Sequence, residues 1–492
     1  MKMERSLLLG TAAGLVAIAG AQAADLPVKA KPVQYVKICS LYGAGFYYIP
    51  GTDTCLKLGG YVRVQFETGA ADGGVPDIAG GNQGNQTRFS YGYGYTARGH
   101  FTADARSQTE YGTLRSYFTL AMQNRDIRNP SNAAVATAVT SGPASIGDVA
   151  NMERAFIQFA GFTVGTIESM YDFLSWAPYN YSNARSGSNT GAGGIVAFAY
   201  TAQFGNGLSA TLSVEDNVYR RTSLINTGNA AFAATTFATA PTNNYGGPGN
   251  PDLVGNLRVD QTWGSAQIMG AAHEIRAGYN SAAGAGNGFP GSEWGLAAGV
   301  GLRINVPQAG AGSHFAIQAN WSKGATGYVS QAGNMFRQNA AVDAGYGYVS
   351  DGVYTGASTT TGIEKTAAWG VLGVYEQVWS PKLRTSIYGG YTEINYNDTA
   401  NTALCSMIAT AVIPTAQCDN DWSFWQAGSR TAWYPVQNLE IGLDVLYTKL
   451  NTASAGTGGT GISGVAINQL TTTRADQDVW TVMMRWQRSF WP

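Results

Sequence analysis

The feature that most constrains the fold is an alternation of apolar and polar residues, which begins near Lys57 and continues to the end of the chain. In the segment 208–215, two leucines, an alanine and a valine share one face, and the polar residues share the other. The segments 294–306 and 439–447 repeat this arrangement. A period of two residues is typical of a β-strand with one apolar face. The chain is therefore expected to be all-β, and a soluble antiparallel sandwich remains the alternative because its strands alternate too.

The first residues have the pattern of a secretory signal peptide. Lys2 and Arg5 precede an apolar stretch over 7–20, and a small-x-small cleavage site follows at 21–23. The prediction is a signal peptide over 1–23 that is removed before Ala24, so that the mature chain leaves the cytoplasm. A retained membrane anchor is the alternative, although the stretch is short for one.

The composition narrows the class of protein. Charged residues make up 12% of the chain and aromatic residues another 12%, whereas a soluble domain has about 25% charged residues. After the predicted signal peptide, no uncharged apolar run reaches the roughly 20 residues of a membrane helix. A closed β-barrel is the other structure that can span a bilayer. The net charge of −1 gives no reason to expect a nucleic-acid partner.

Sixteen alternating segments can be placed along the chain, and the links between them are alternately short and long. The segments are 57–68, 86–106, 110–124, 150–160, 162–168, 193–205, 207–215, 253–263, 266–280, 293–306, 313–323, 366–379, 382–396, 421–434, 438–449 and 477–490. Short turns at one end and long loops at the other are typical of outer-membrane barrels, whose turns are periplasmic. A sandwich has no reason to obey this rule. The prediction is a 16-stranded antiparallel transmembrane β-barrel with long extracellular loops, and the predicted domains are 1–23, a periplasmic N-terminal segment over 24–56 and a barrel over 57–492.

Aromatic residues support a membrane location because they gather at the predicted strand ends, as in the interfacial girdles of barrels. The last strand places Trp480 and Trp486 on its outward face and runs to Phe490. A closing aromatic residue is what the barrel-assembly machinery is expected to read, although the additional Trp491 and Pro492 depart from a terminal phenylalanine.

Three segments resemble a known family. They are KICSLYGAGFYYIPGTDTCLKLGGYVR (37–63), RAFIQFAGFTVGTIESMYDFLSWAPY (154–179) and MRWQRSF (484–490). With them the chain resembles the trimeric general porins of alphaproteobacteria, especially the Rhizobiales and Brucella type. The resemblance implies sixteen strands, a homotrimer, and a third loop folded into each lumen as a constriction. It also implies a passive channel for small hydrophilic solutes and ions.

The third long loop begins at Glu168 and carries Asp172 within a compact apolar stretch over 170–176. Because so much apolar surface should be buried, the loop is expected to fold inward against the barrel wall. This interpretation places Glu168 and Asp172 at the narrowest point, facing the pore. The alternative makes Glu168 the last residue of a strand and Asp172 a helix cap.

Positive charge is expected opposite this loop. The alternation turns four arginines on neighbouring strands into the lumen, namely Arg63, Arg98, Arg115 and Arg154, since an arginine against lipid would cost about 2–4 kcal/mol at the midplane. An acidic loop facing this basic ladder would create a transverse field. Alternatively, the arginines pair with Asp104, Glu110 or Glu153 only to neutralise charge. The preferred ion is a guess at this stage, weakly in favour of cations.

A subunit contact is predicted on the second strand, where small residues point outward. They are Ala97, Gly99, Ala103 and Ala105, and small residues allow another backbone to approach closely. Lipid that tolerates small residues is the alternative explanation. The outer-membrane lipid and lipopolysaccharide are the other expected surroundings.

The four cysteines fit an oxidising compartment. Cys39 and Cys55 precede the first strand, whereas Cys405 and Cys418 lie in the seventh outer loop. A cross pair would have to bridge an apolar band about 25 Å tall, which exceeds disulfide reach. The predicted disulfides are therefore Cys39–Cys55 and Cys405–Cys418, and no metal site is expected because no histidine lies near either pair.

No motif indicates an enzyme or a cofactor. The glycine pattern over 459–464 matches a dinucleotide fingerprint by letters, but it sits in a Gly/Thr-rich stretch. The chain has three histidines, His100, His273 and His314, and no GxSxG nucleophile motif. A substrate-specific channel for sugars or anions, and a surface adhesin, remain the alternatives to a general porin.

Overall fold

The computed structural model describes residues 37–71, 75–76, 78, 85–86, 92–126, 146–188, 193–228, 243–280, 288–330, 333–339, 343–355, 362–407, 413–457 and 473–490. The predicted signal peptide, the glycine pattern over 459–464 and the last two residues lie outside these ranges. Among the described residues, no helix has the length and hydropathy needed to cross a membrane.

Sixteen antiparallel strands form one closed barrel. They are β1 (Cys55–Thr68), β2 (Tyr93–Thr109), β3 (Gly112–Asp126), β4 (Ile146–Phe159), β5 (Phe162–Ile167), β6 (Ile195–Gly205), β7 (Leu208–Glu215), β8 (Asp252–Gln261), β9 (Gly264–Arg276), β10 (Ser292–Asn305), β11 (His314–Lys323), β12 (Ala367–Ser380), β13 (Leu383–Asn395), β14 (Trp422–Trp433), β15 (Leu439–Asn451) and β16 (Gln477–Ser489). Each strand pairs with its neighbour in the chain, and β1 pairs with β16 to close the barrel. Closure satisfies the backbone hydrogen bonds of every strand edge. The predicted fold class and strand count are confirmed.

Most strand boundaries lie within a few residues of the predicted ones. The second strand differs most, because it begins at Tyr93 and not at residue 86. Asn85 and Gln86 instead pair in parallel with Gln338 and Asn339 of another loop. Alternation alone could not separate this loop-to-loop pairing from a barrel strand, since both produce extended backbone.

The barrel has an apolar outside and a polar inside. On β7, Leu212 is 74% exposed whereas the neighbouring Thr211 is 5% exposed. Trp294, Trp379 and Trp480 are also exposed, at the ends of their strands. A soluble protein rarely leaves so much contiguous apolar surface uncovered, and a lipid bilayer would cover it.

The N-terminal segment is attached to the periplasmic end of the barrel. Cys39 and Cys55 form a disulfide with a Cα–Cα distance of 5.9 Å. Tyr47 and Tyr48 extend the sheet by pairing with the first residues of β1. This is the disulfide pairing that the topology predicts.

The long loops form folded structure at the opposite end, and the sequence did not predict it. The segments Ser223–Asn226, Ser350–Tyr354 and Glu364–Lys365 make one small sheet, and Asn85–Gln86, Met335–Asn339, Asp343–Gly347, Gly456–Thr457 and Thr473–Arg474 make another. Helix α1 (Asp398–Met407) carries one end of the predicted second disulfide, Cys405–Cys418. A buried apolar cluster that includes Ile225, Tyr346 and Phe424 joins these loops to the barrel mouth.

Candidate pore constriction

The third loop folds into the lumen, where side chains of the barrel wall hold its backbone. Gln318 on β11 accepts hydrogen bonds from the Phe173 and Leu174 amides, at 3.1 and 2.8 Å. Asp444 on β15 accepts from the Tyr181 and Ser182 amides, both at 2.8 Å. Further along, Gln426 on β14 and Thr392 on β13 accept from loop amides in the same way. Inward polar residues therefore replace the water that loop amides would otherwise bind.

The apolar stretch of the loop packs against inward apolar residues, as predicted. Leu174 and Trp176 are 4% and 3% exposed, and they join a cluster with Leu372, Val374 and Tyr388 of the wall. Burial of one such side chain contributes about 1.5–3 kcal/mol. The apolar stretch thus anchors the loop to the wall between β10 and β15.

Inward glycines provide the space for this packing. A Cβ atom at Gly301 on β10 would overlap the ring of Phe173, and one at Gly442 on β15 would overlap the Tyr181 side chain. The alternation of β10, whose inner set contains three glycines, is the sequence signal for the docking site. The prediction of an inward loop did not use it.

Asp172 does not face the pore, so the prediction that it lines the constriction is wrong. Its carboxylate lies 2.9 Å from the Arg220 guanidinium, and the two side chains are 1% and 3% exposed. Burial raises the pKa of the Asp172 carboxyl above its usual range, and Arg220 opposes this rise. Arg220 comes from the next long loop and also stacks on Tyr328, 4.6 Å from the ring centre. Asp172 therefore links the third loop to the next one through Arg220. The positions of charged residues along the sequence do not reveal that these two side chains meet.

Glu168 follows β5 directly and remains exposed. Of the two predicted constriction acids, only Glu168 is exposed, and its place at the constriction stays a prediction.

Arg98 and Arg115, two of the predicted ladder arginines, form ion pairs with described residues. Arg98 pairs with Glu153 of β4 and also donates to Gln123 at 2.9 Å. Arg115 donates to both carboxylate oxygens of Asp104, each at 3.0 Å. These contacts correspond to the neutralising alternative.

The other two ladder arginines have different surroundings. The Arg63 Nε donates to Gln487 at 2.7 Å, and its guanidinium stacks on Tyr61. Arg154 donates to the carbonyl of Glu153 at 2.8 Å.

A cavity of about 420 Å³ lies under the loop segment 177–179. Five arginines line it, and we call them the arginine cluster: Arg63, Arg303, Arg384, Arg430 and Arg485. Glu376 and Glu440 line it too. Arg384 and Glu440 are the second residues of β13 and β15, and therefore the cluster lies toward the turn end of the lumen.

The sequence prediction missed four members of this cluster. Their positions follow from the same parity rule, since Arg485 stands between the outward residues Met484 and Trp486. Five strands each contribute one arginine to the cavity, because the barrel is curved and the third loop folds inward. The alternation of apolar and polar residues predicts neither the curvature nor the path of the loop.

A closed sixteen-stranded barrel, with short turns at one end, long loops at the other and a loop folded into the lumen, defines the porin class of outer-membrane protein. The Porin subfamily matches residues 25–483, and the chain belongs to that family. Porin Omp2b of Brucella suis biovar 1 is 32% identical over 265 residues, which are 53% of this chain and 63% of that protein. Porin Omp2b of Brucella melitensis biotype 1 gives the same identity and coverage. The match thus spans less than two thirds of the length of these relatives.

A solved structure supports the fold alone. The outer membrane channel DcaP of Acinetobacter baumannii covers 90% of this chain and 99% of its own, with a TM-score of 0.55 and 12% sequence identity.

Proposed function

We propose that the chain forms a passive, water-filled channel for small hydrophilic solutes and ions across a bacterial outer membrane. The observation that carries this proposal is a polar, charge-lined cavity inside a closed barrel whose outer face is apolar. An apolar exterior suits lipid, and a polar interior suits water and dissolved solutes. Membership of the porin family supports the same function.

The constriction proposed here differs from an acidic loop that faces a basic ladder. Asp172 is buried against Arg220, whereas five arginines and two glutamates line the cavity under the loop. Fixed positive charge attracts anions and repels cations in a narrow pore. The channel is therefore expected to prefer anions, in contrast to the weak cation preference guessed from sequence.

The proposed assembly is a homotrimer in which the outward face of β2 contacts another subunit. Ala97 and Gly99 are exposed there, and a Cβ atom added to Gly99 would have no neighbour within 4 Å. Ala103 is 8% exposed and Ala105 is half-buried, and therefore neighbouring side chains cover these two residues more than they cover Ala97 and Gly99. Phe490 lies beside β1, where its amide donates to the Gly60 carbonyl at 2.9 Å, which suits the proposed reading of this end by the barrel-assembly machinery.

Cysteine crosslinking tests the contact. Ala103→Cys is expected to give a disulfide-linked dimer band in membranes, whereas Leu212→Cys on β7, five strands away from β2 in the barrel, is expected to give none. A barrel that crosslinks only through Leu212→Cys would place the contact elsewhere.

Planar-bilayer recording tests the channel function. Protein extracted without boiling is expected to open in steps of three, with a linear current–voltage relation and a reversal potential of the sign for anions in a KCl gradient. Folded and inserted protein that passes no current would overturn the proposal and favour an adhesin. Conductance of one sugar or anion class alone would favour a substrate-specific channel.

A further inference from the structure

Arg485 is a buried cation that has no carboxylate within 4.0 Å among the described residues. It lies on β16, is 8% exposed and lines the cavity of the arginine cluster. Its Nε is buried without a hydrogen-bond partner among the described residues. Its guanidinium stacks on Tyr181 of the third loop, 3.9 Å from the ring centre, which fixes the orientation of the side chain.

Two further members of the cluster also lack an acidic partner. Within the described ranges, no carboxylate lies within 4.0 Å of Arg63, Arg303 or Arg485. Gln487 holds only the Nε of Arg63. Three like charges that line one cavity repel each other, and burial weakens their contact with water.

The two glutamates of the cavity are already engaged. Glu376 lies 3.0 Å from Arg430 and 3.6 Å from Arg384. Glu440 accepts hydrogen bonds from the hydroxyls of Tyr181 and Tyr434, both at 2.7 Å. These acids therefore leave the other three arginines as the excess charge of the cavity.

From this arrangement we infer that Arg485 and Arg63, with Arg303 across the cavity, form a binding site for the phosphate group of a small permeating solute. Guanidinium groups match the geometry of phosphate oxygens through paired N–H donors. Phosphate carries about 1.5–2 negative charges at neutral pH, which suits several arginines better than one chloride ion does. A water occupies about 30 Å³ in the liquid, so a cavity of about 420 Å³ has room for such a group and its hydration.

The inference rests on the proposed channel function and names a class of solute for it. A binding site in a pore slows the passage of other ions while it is occupied, because entry and exit share one path. Phosphate should therefore reduce the chloride current in a saturable manner.

The test measures single-channel chloride conductance as inorganic phosphate or glycerol 3-phosphate is added at constant ionic strength and pH 7.5. Wild-type protein is expected to show saturable block. Arg485→Gln and, separately, Arg63→Gln are expected to raise the half-blocking concentration about tenfold, the effect of one lost charge-assisted hydrogen bond. Both variants are first shown to be folded by the electrophoretic mobility of the unboiled protein. One folded variant is enough for the test.

Arg106→Gln is the matched control, because it removes the same charge from the lumen at a residue paired with Asp104 at 2.7 Å. It is expected to leave the half-blocking concentration unchanged. Block by inorganic phosphate would identify the free ion as a ligand, and block by the ester alone would identify phosphorylated organic solutes.

Normal chloride conductance without saturable block by either probe would overturn the phosphate site and leave the channel function intact. Equal block in wild type, Arg485→Gln and Arg63→Gln would overturn the assignment of these residues. A silent wild-type protein would contradict the proposed function itself.

Discussion

Two neighbouring regions of the lumen differ in whether their charged side chains have partners within the protein. In the docking site of the third loop, three described carboxylates have partners. Asp172 pairs with Arg220, and Asp444 accepts hydrogen bonds from two loop amides. Glu215 accepts hydrogen bonds from the Ser169 hydroxyl and the Met170 amide. In the arginine cluster below, three guanidinium groups have no carboxylate within 4.0 Å among the described residues.

Charged side chains that have partners stabilise the constriction, whereas charged side chains without an acidic partner are available to solutes in the pore. A buried charge with a full set of partners contributes rigidity, and its removal leaves the partner uncompensated. A charge whose partner must come from solution contributes to permeation. Inward orientation is common to both regions, so orientation alone does not assign a role.

The largest effect is expected from breaking the docking site at its buried ion pair. Asp172→Ala leaves Arg220 buried without its acid, and the loss of one partner of such a pair costs about 3–5 kcal/mol. Hydrogen exchange of the 169–188 amides should accelerate strongly, because the loop loses its link to Arg220.

The control is Lys449→Ala, which breaks the exposed Lys449–Asp476 pair, with side chains 36% and 46% exposed. Exposed pairs contribute about 0–1 kcal/mol, so loop exchange should not change. Equal protection in both variants would mean that the ion pair does not hold the loop, and the contrast between the two regions would fail.

The sequence predicted the barrel well because one local rule governs every strand. Leu212 and Thr211 face opposite sides as a direct result of strand geometry, and lipid outside the barrel makes the choice of side unambiguous. The same rule turned Arg63 and Arg98 inward, where the structure has them.

The sequence could not predict which inward charges have partners. Asp172 is 48 residues from Arg220, and they meet only because two outer loops fold toward each other. Arg63 and Arg485 are brought together by barrel closure between β1 and β16. Contacts of this kind depend on loop conformation and curvature, which have no period in the sequence.

A smaller effect is expected from filling the space under the loop. Gly301→Leu would place a side chain where the Phe173 ring lies, and overpacking of this kind costs about 1–3 kcal/mol. The loop should shift from the wall, and single-channel conductance should change with it.

Gly373→Leu on β12 is the control for that variant, because the nearest atom to an added Cβ there is 3.6 Å away. Its conductance is expected to match wild type. If Gly301→Leu also matched wild type in conductance and in loop hydrogen exchange, the inner glycines would not be part of the docking site.

The smallest effect, and the most direct test of the comparison, is on ion preference. The double variant Arg63→Gln plus Arg485→Gln removes two cations that have no acidic partner among the described residues. A unit charge about 4 Å from an ion contributes about 1 kcal/mol in water, so the permeability ratio of chloride to potassium should fall about fivefold or more. The reversal potential in a KCl gradient measures this ratio.

The matched double variant is Arg98→Gln plus Glu153→Gln, which removes one complete ion pair. It also replaces two charged luminal side chains, but the net charge of the lumen stays the same, and therefore the reversal potential should not move. A shift of equal size in both doubles would mean that replacing luminal side chains, and not the loss of positive charge, changes the ion preference. A shift only in the first double would establish that the lost positive charge of Arg63 and Arg485 moves the preference, because both proteins carry two substitutions and only the first changes the net charge of the lumen.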